Sequence, residues 1–263
     1  MIFKGLTCST PGEDLFVMER NLKLTIEYQG TRYHGWQIQP NGTSIQEKIE
    51  EVLERLTGHR PKVIGSGRTD AGVHAEGQVA HFRTQSHMDC KILQRGMNAL
   101  LPGDIVILKV EEADEDFHAL FSAKGKTYRY VILNRFHPSA FERHRCWHIS
   151  RRLDWKVMRE AAEPLIGLHD FSAFRASDCC AKNPVREVRG IEIRAEDDWI
   201  SIMVSANGFL KYMVRNIVGT LVEVGRGKMA PEDVQKILDS RDRTRAGPTA
   251  PARGLFLVSV DYA

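Results

Sequence analysis

The feature that most narrows what this chain can fold into is a repeated change of hydrophobic period. LKLTIEY (22–28) sets Leu22, Leu24, Ile26 and Tyr28 against polar neighbours, which is the two-residue period of a half-buried strand. SIQEKIEEVLERLTG (44–58) then gathers Ile45, Ile49, Val52, Leu53 and Leu56 on one side of a helix. Ser44 and Glu47 have the spacing of a capping box, and Gly58 supplies the residue that ends a helix in the left-handed conformation. Short strands are expected near 62–64 and 77–83, then a helix over 91–101 that stops before Pro102-Gly103, then a strand in DIVILKV.

The second half changes period in the same way. KTYRYVIL (126–133) reads as a strand and 153–165 as a helix, followed by strands in VRGIEIR and WISIMVSA. LKYMVRNIVGTLVEVG (210–225) is a long amphipathic helix, Pro231 opens a short one, and GLFLVSVDY closes the chain as a strand. Each half thus runs roughly β-α-β-β-α-β without literal repetition. The expected fold is α+β: two similar subdomains, each a mainly antiparallel sheet with helices on one face, with the active-site cleft between them. The expected boundaries are a flexible N-terminal extension over 1–20, an N-terminal subdomain over 21–120 and a basic C-terminal subdomain over 121–263.

Several classes of protein are disfavoured. No apolar run approaches the roughly 20 residues of a membrane span, and MIFKGLTCSTPGEDLFVMER lacks the basic segment and long apolar core of a secretory signal. The five cysteines (Cys8, Cys90, Cys146, Cys179 and Cys180) form no C-x-x-C pair, so a reducing, cytoplasmic setting fits better than a disulfide framework or a zinc ribbon. The net charge of +3 is unevenly spread: residues 1–120 carry −4 and residues 121–263 carry +7. A basic half suits a polyanionic partner as well as it suits an ordinary solvated surface.

GSGRTDAGVHA (65–75) concentrates three glycines around Arg68 and Asp70. It is not a phosphate loop: the third glycine of G-x-G-x-x-G is replaced by Asp70, and no G-K-[ST] follows. A metal clip of Asp70, His74 and His81 requires a helix that the glycines oppose. Two readings stay open: a plain turn, or the mount for one catalytic carboxylate with Arg68, two residues away, lowering the Asp70 pKa. Elsewhere, Tyr128 lies on a strand amid Lys124, Lys126 and Arg129, a mixture that binds nucleic acid or simply covers a sheet face. Arg215 interrupts the long helix with Lys211 one turn earlier, RHRCWHISRR (143–152) and RDRTR (241–245) are basic, and Trp36 in HGWQIQP is expected to pack.

Taken together, GSGRTDAGVHAEGQVAHF (65–82) resembles the catalytic loop of the tRNA pseudouridine synthase A family. YHGWQIQP with SIQEKIE, then KTYRYVI, NPVREV, GFLKYMVRNIVGTLVEVGRG and AGPTAPARGLFL resemble that family's other segments in the same order, over nearly all of 22–262. The resemblance implies isomerisation of uridine to pseudouridine in the tRNA anticodon stem-loop, typically at nucleotides 38, 39 and 40, by a homodimer without metal or cofactor. It places the catalytic acid at Asp70, a strand tyrosine at Tyr128 and a helix arginine at Arg215. It also implies that Arg68 helps displace the target base, and Lys211 joins it as an expected substrate contact. Residues 1–20 have no counterpart, and DCCAKNP carries adjacent cysteines without touching the catalytic set.

The chemistry agrees with the residues. Breaking N1–C1′, turning the uracil and rejoining it through C5 changes no oxidation state and adds no water. One ionised carboxylate therefore suffices, whereas a glycoside hydrolase sets two across the bond. Sugar attack, ring attack and sugar-proton removal by Asp70 all remain open. An RNA-binding module without chemistry and a nucleoside N-glycosidase are the competing functions.

Overall fold

The protein is described from a computed structural model over residues 19–262. Residues 1–18 of the expected extension lie outside the described residues, and Arg20 already belongs to the first strand. The chain is α+β, as its changes of period require. Its strands are β1 (Arg20–Tyr28), β2 (Ile64–Gly65), β3 (His74–Thr84), β4 (Ile105–Ala113), β5 (Gly125–Leu133), β6 (Trp147–His148), β7 (Gly167–Asp170), β8 (Val185–Glu196), β9 (Trp199–Ala206) and β10 (Leu255–Asp261). Its helices are α1 (Ile45–Thr57), α2 (Cys90–Leu100), α3 (Trp155–Ala162), α4 (Met213–Gly225) and α5 (Asp233–Ser240).

All ten strands belong to one sheet, ordered β4-β1-β3-β10-β5-β9-β8-β7, with β2 beside β3 and β6 beside β5. The strands of the two halves therefore join in one sheet, and β10, last in the chain, is the seam. It runs parallel to β3, with Leu257 opposite Ala75, and antiparallel to β5, with the same Leu257 opposite Tyr128. Ala75 and Tyr128 are thus two strand spacings apart, about 10 Å. This pairing brings the loop before β3 beside a tyrosine from the other half of the sequence.

The sequence signals explain the elements. In α1, Ser44 Oγ accepts from the Glu47 backbone N–H and the Glu47 carboxylate accepts from the Ser44 N–H. Gly58 ends the helix at φ 78°. Ile45, Ile49, Val52 and Leu53 are buried in one cluster with Leu22, Leu24 and Ile26 of β1. Ser44→Ala removes the cap and is expected to cost about 1 kcal/mol, read as a lower midpoint in urea unfolding with an unchanged slope.

Two helices differ from the sequence reading. The expected 153–165 helix is α3 followed by a 3-10 turn over Glu163–Leu165, because Pro164 has no N–H to continue the α ladder. The expected 210–225 helix begins only at Met213, because Tyr212 adopts a left-handed conformation, φ 64°. The two-residue strand β6 and the four-residue β7 carry too short a pattern to be read.

Candidate active site

The loop between β2 and β3 is tied down on every side. Ser66 Oγ donates to Gln78 Oε1 at 2.7 Å, and Gln78 Nε2 donates to the Gly67 carbonyl at 3.1 Å. Lys126 Nζ, from β5, donates to the Ser66 carbonyl at 2.7 Å. Thr69 is buried, with its hydroxyl 2.8 Å from that of Tyr28, and its carbonyl accepts from the Trp36 N–H at 3.1 Å. The chain then turns through Gly72, at φ 78°, where a side chain would be strained. The Val73 N–H closes the turn on the Asp70 carbonyl at 3.1 Å. His74 opens β3 as a fully used structural histidine. Its Nδ1 accepts from the Gly30 N–H at 3.0 Å, so Nε2 carries the proton and faces the carbonyls of His144 and Arg253. Such a frame holds one residue, Asp70, at a fixed place.

Asp70 meets Arg215 across 145 positions of sequence: Arg215 Nη1 donates to Asp70 Oδ2 at 3.0 Å. The guanidinium is itself positioned, since its Nε donates to the Ala250 carbonyl at 2.7 Å and its Cζ lies 4.6 Å from the Tyr212 ring centroid. The Asp70 side chain keeps 26% of its exposure and Arg215 14%, so the pair is largely desolvated but still reachable by a ligand. Burial raises the Asp70 pKa above the usual carboxylate value. The Arg215 hydrogen bond, the Arg215 charge and the Lys211 charge oppose that rise, and the Asp178 charge adds to it. Burial is the largest of these influences, so Arg215 limits the rise without cancelling it.

Tyr128 of β5 is buried, with its ring edge-on to Phe209 at 5.0 Å. Burial, then the Tyr28 and Asp70 neighbours, push its pKa up, and it is therefore a neutral phenol. Arg68 is exposed and is not among the charges that act on Asp70. The expectation that Arg68 lowers the Asp70 pKa is thus corrected: Arg68 is exposed to solvent, and the cation that bonds the Asp70 carboxylate comes from α4. Arg215 takes that part. Lys211 is exposed and donates to Asp178 at 2.6 Å, with Nζ 5.4 Å from the Tyr212 ring.

The structure therefore brings Asp70, Tyr128 and Arg215 together, with Lys211 and Arg68 both exposed. Trp36 is packed, as expected, with 2% exposure. Arg243 of the basic 241–245 stretch is partly internal, donating to Asn216 Oδ1 and Thr249 Oγ1, both at 3.1 Å. Glu76, the acid closest in sequence within the motif, is paired with Arg129. Phe209 and Tyr212 were not singled out. Tyr212 precedes Arg215 by three residues but stands just outside α4 with a left-handed backbone, so helical spacing does not reveal it. Nothing local marks Phe209. Among the described residues, no group of three His, Cys, Asp or Glu is arranged to hold a metal ion.

Comparison with known proteins gives a consistent result. A family model described as tRNA pseudouridine synthase matches residues 24–122 and 161–263. A tRNA pseudouridine synthase A from Acetivibrio thermocellus is 50% identical over 243 residues, covering 92% of this chain and 100% of the relative. A tRNA pseudouridine synthase A 2 from Clostridium perfringens is 49% identical with the same coverage. A tRNA pseudouridine synthase A from Myxococcus xanthus is 50% identical over 242 residues, covering 92% of this chain and 91% of the relative.

Proposed function

The chain belongs to the tRNA pseudouridine synthase family, whose members are isomerases, and from that premise we propose that it acts on the anticodon stem-loop, at nucleotides 38, 39 and 40, with Asp70 as nucleophile. The observation that carries the assignment of Asp70 is its partly buried pair with Arg215 beside the Tyr128 ring. A carboxylate this desolvated serves as a nucleophile only while a cation holds it ionised.

The atoms balance without a cofactor. The N1–C1′ bond breaks, C5 takes N1's place on C1′, the C5 proton leaves and N1 ends with a proton. Extruding the target base costs a few kcal/mol. Arg68, exposed at the loop, fills the vacated stack, and Lys211 exchanges Asp178 for an RNA phosphate. The Tyr128 ring stacks on the uracil, worth about 1–3 kcal/mol. Its hydroxyl takes up the C5 proton only by passing its own proton onward, because burial keeps it a phenol. Tyr128→Phe is then expected to keep RNA affinity but lose most turnover, whereas Tyr128→Leu weakens both; equal turnover in Tyr128→Phe and the wild type would confine the residue to stacking. The protein works as a cytoplasmic homodimer on tRNA, and the basic second half supplies charge for a strand laid along the cleft.

The deciding experiment incubates the protein with unmodified tRNA and maps pseudouridine by position. Conversion within the anticodon arm at unchanged RNA mass is expected. Loss of uracil mass would make it an N-glycosidase, and tight binding without either change would make it a binding module.

A further inference from the structure

Lys126 and Arg186 lie on the same sheet face as Tyr128, and no acid among the described residues answers their charge. Lys126 stands opposite Ala206, and Ala206 opposite Val188. The pleat then puts Lys126, Tyr128, Val188 and Arg186 on one face, with Lys126 about 7 Å of strand from Tyr128. Both cations are partly buried, and their protein partners are neutral oxygens. Lys126 Nζ donates to the Ser66 carbonyl at 2.7 Å. Arg186 Nη1 donates to the carbonyls of Asn183 at 2.9 Å and Val185 at 2.6 Å. Gly67 leaves the ammonium its room, since a Cβ there would stand 2.7 Å from Nζ.

Burial, and then the Arg186 charge, lowers the Lys126 pKa to about 8, and burial lowers that of Arg186. Neither forms an ion pair among the described residues, whereas Lys211 and Arg215 nearby both do. Two like charges that act on each other, partly desolvated and without a counterion among the described residues, are unfavourable until an anion arrives. Among the described residues each also keeps N–H groups without an acceptor: Lys126 uses one of three, and the Arg186 Nε and Nη2 protons have none.

We propose that Lys126 and Arg186 form a phosphate site on the sheet face that carries Tyr128, which takes a phosphodiester of the RNA strand beside the nucleotide that enters the Asp70 site. It rests on the function proposed above. Because Lys126 also holds the Ser66 carbonyl, the same contact draws the catalytic loop toward the bound strand.

The test measures binding of unmodified tRNA against KCl concentration for Lys126→Gln, Arg186→Gln, Lys126→Arg and the wild type, with steady-state kinetics on each. Each glutamine variant is expected to reduce the slope of log affinity against log salt by about one. KM should rise roughly tenfold, more than kcat falls, while Lys126→Arg keeps the wild-type slope. Slopes unchanged in both glutamine variants, with the loss confined to kcat, overturn the proposal and leave Lys126 as a loop tether. Arg186→Gln guards against misfolding of the loop, because Arg186 makes no bond to it. A titration with inorganic phosphate separates the sources: saturation below millimolar phosphate with unaltered tRNA slopes would make this a free-phosphate site and overturn the RNA assignment. Altered slopes in a protein that forms no pseudouridine would retain the site and reject the proposed function; pseudouridine formed with unaltered slopes would do the reverse.

Discussion

Asp70→Asn is expected to abolish pseudouridine formation, by about 10⁴-fold or more, as removal of a covalent nucleophile generally does. Asparagine keeps the shape and a hydrogen-bonding oxygen for Arg215 but has no carboxylate to offer. tRNA affinity should change little, since the affinity resides in cations and the Tyr128 ring. The fold should tolerate the change for a reason of sign. The Asp70 pKa is raised in the folded state, so the native chain binds that proton more tightly than the unfolded chain does. Its contribution to stability is complete below the ordinary carboxylate value of 3.8 and is lost as pH rises through the raised one. At neutral pH ionised Asp70 therefore burdens the fold, and an amide relieves that while leaving Arg215 half answered. Melting temperatures compared from pH 3.5 upward should show the asparagine variant gaining on the wild type as pH increases. A variant that still makes pseudouridine would remove Asp70 from the chemistry, and full binding with no wild-type turnover would favour the binding-module reading.

The sequence was most legible where one local signal has one structural meaning. Ser44, Glu47 and Gly58 bracket α1 as a cap and stop should, and Leu22, Leu24 and Ile26 show the alternation of a half-buried strand. Asp70, Tyr128 and Arg215 were legible as a set only through the resemblance, because the contacts among them cross β10, whose place between β3 and β5 no local pattern encodes. The same distance explains the error at Arg68. Two-residue spacing suggested a partner for Asp70, but the partner comes from 145 positions away, and only tertiary structure decides between a near and a distant cation. Tyr212 was hidden by its own strain: helical periodicity carried the reading of α4 through a residue whose left-handed backbone starts the helix later. In the sequence, Lys126 is one base among several around Tyr128. Its lack of an acidic partner is a fact of burial and register, which composition does not contain.

Arg215→Ala is expected to lower kcat/KM by about 30-fold at neutral pH, roughly 2 kcal/mol. That is below the 3–5 kcal/mol for breaking a fully buried pair, because both side chains retain some solvent. The pH dependence carries the information. Of the influences on Asp70, burial and Asp178 raise its pKa, while Arg215 and Lys211 lower it. Removing Arg215 deletes the strongest of the opposing influences, so the carboxylate protonates at a higher pH than in the wild type. The acidic limb of the kcat/KM profile, which reports the free enzyme, should then move to higher pH. The deficit should be largest near pH 6 and shrink toward pH 9, where Asp70 is ionised even without help. Arg215→Lys should fall between, because an ammonium restores charge but not the fork that joins the Ala250 carbonyl to Asp70. A deficit of the same size at every pH, with the limb unmoved, would mean that Arg215 fixes where Asp70 stands and does not keep it ionised.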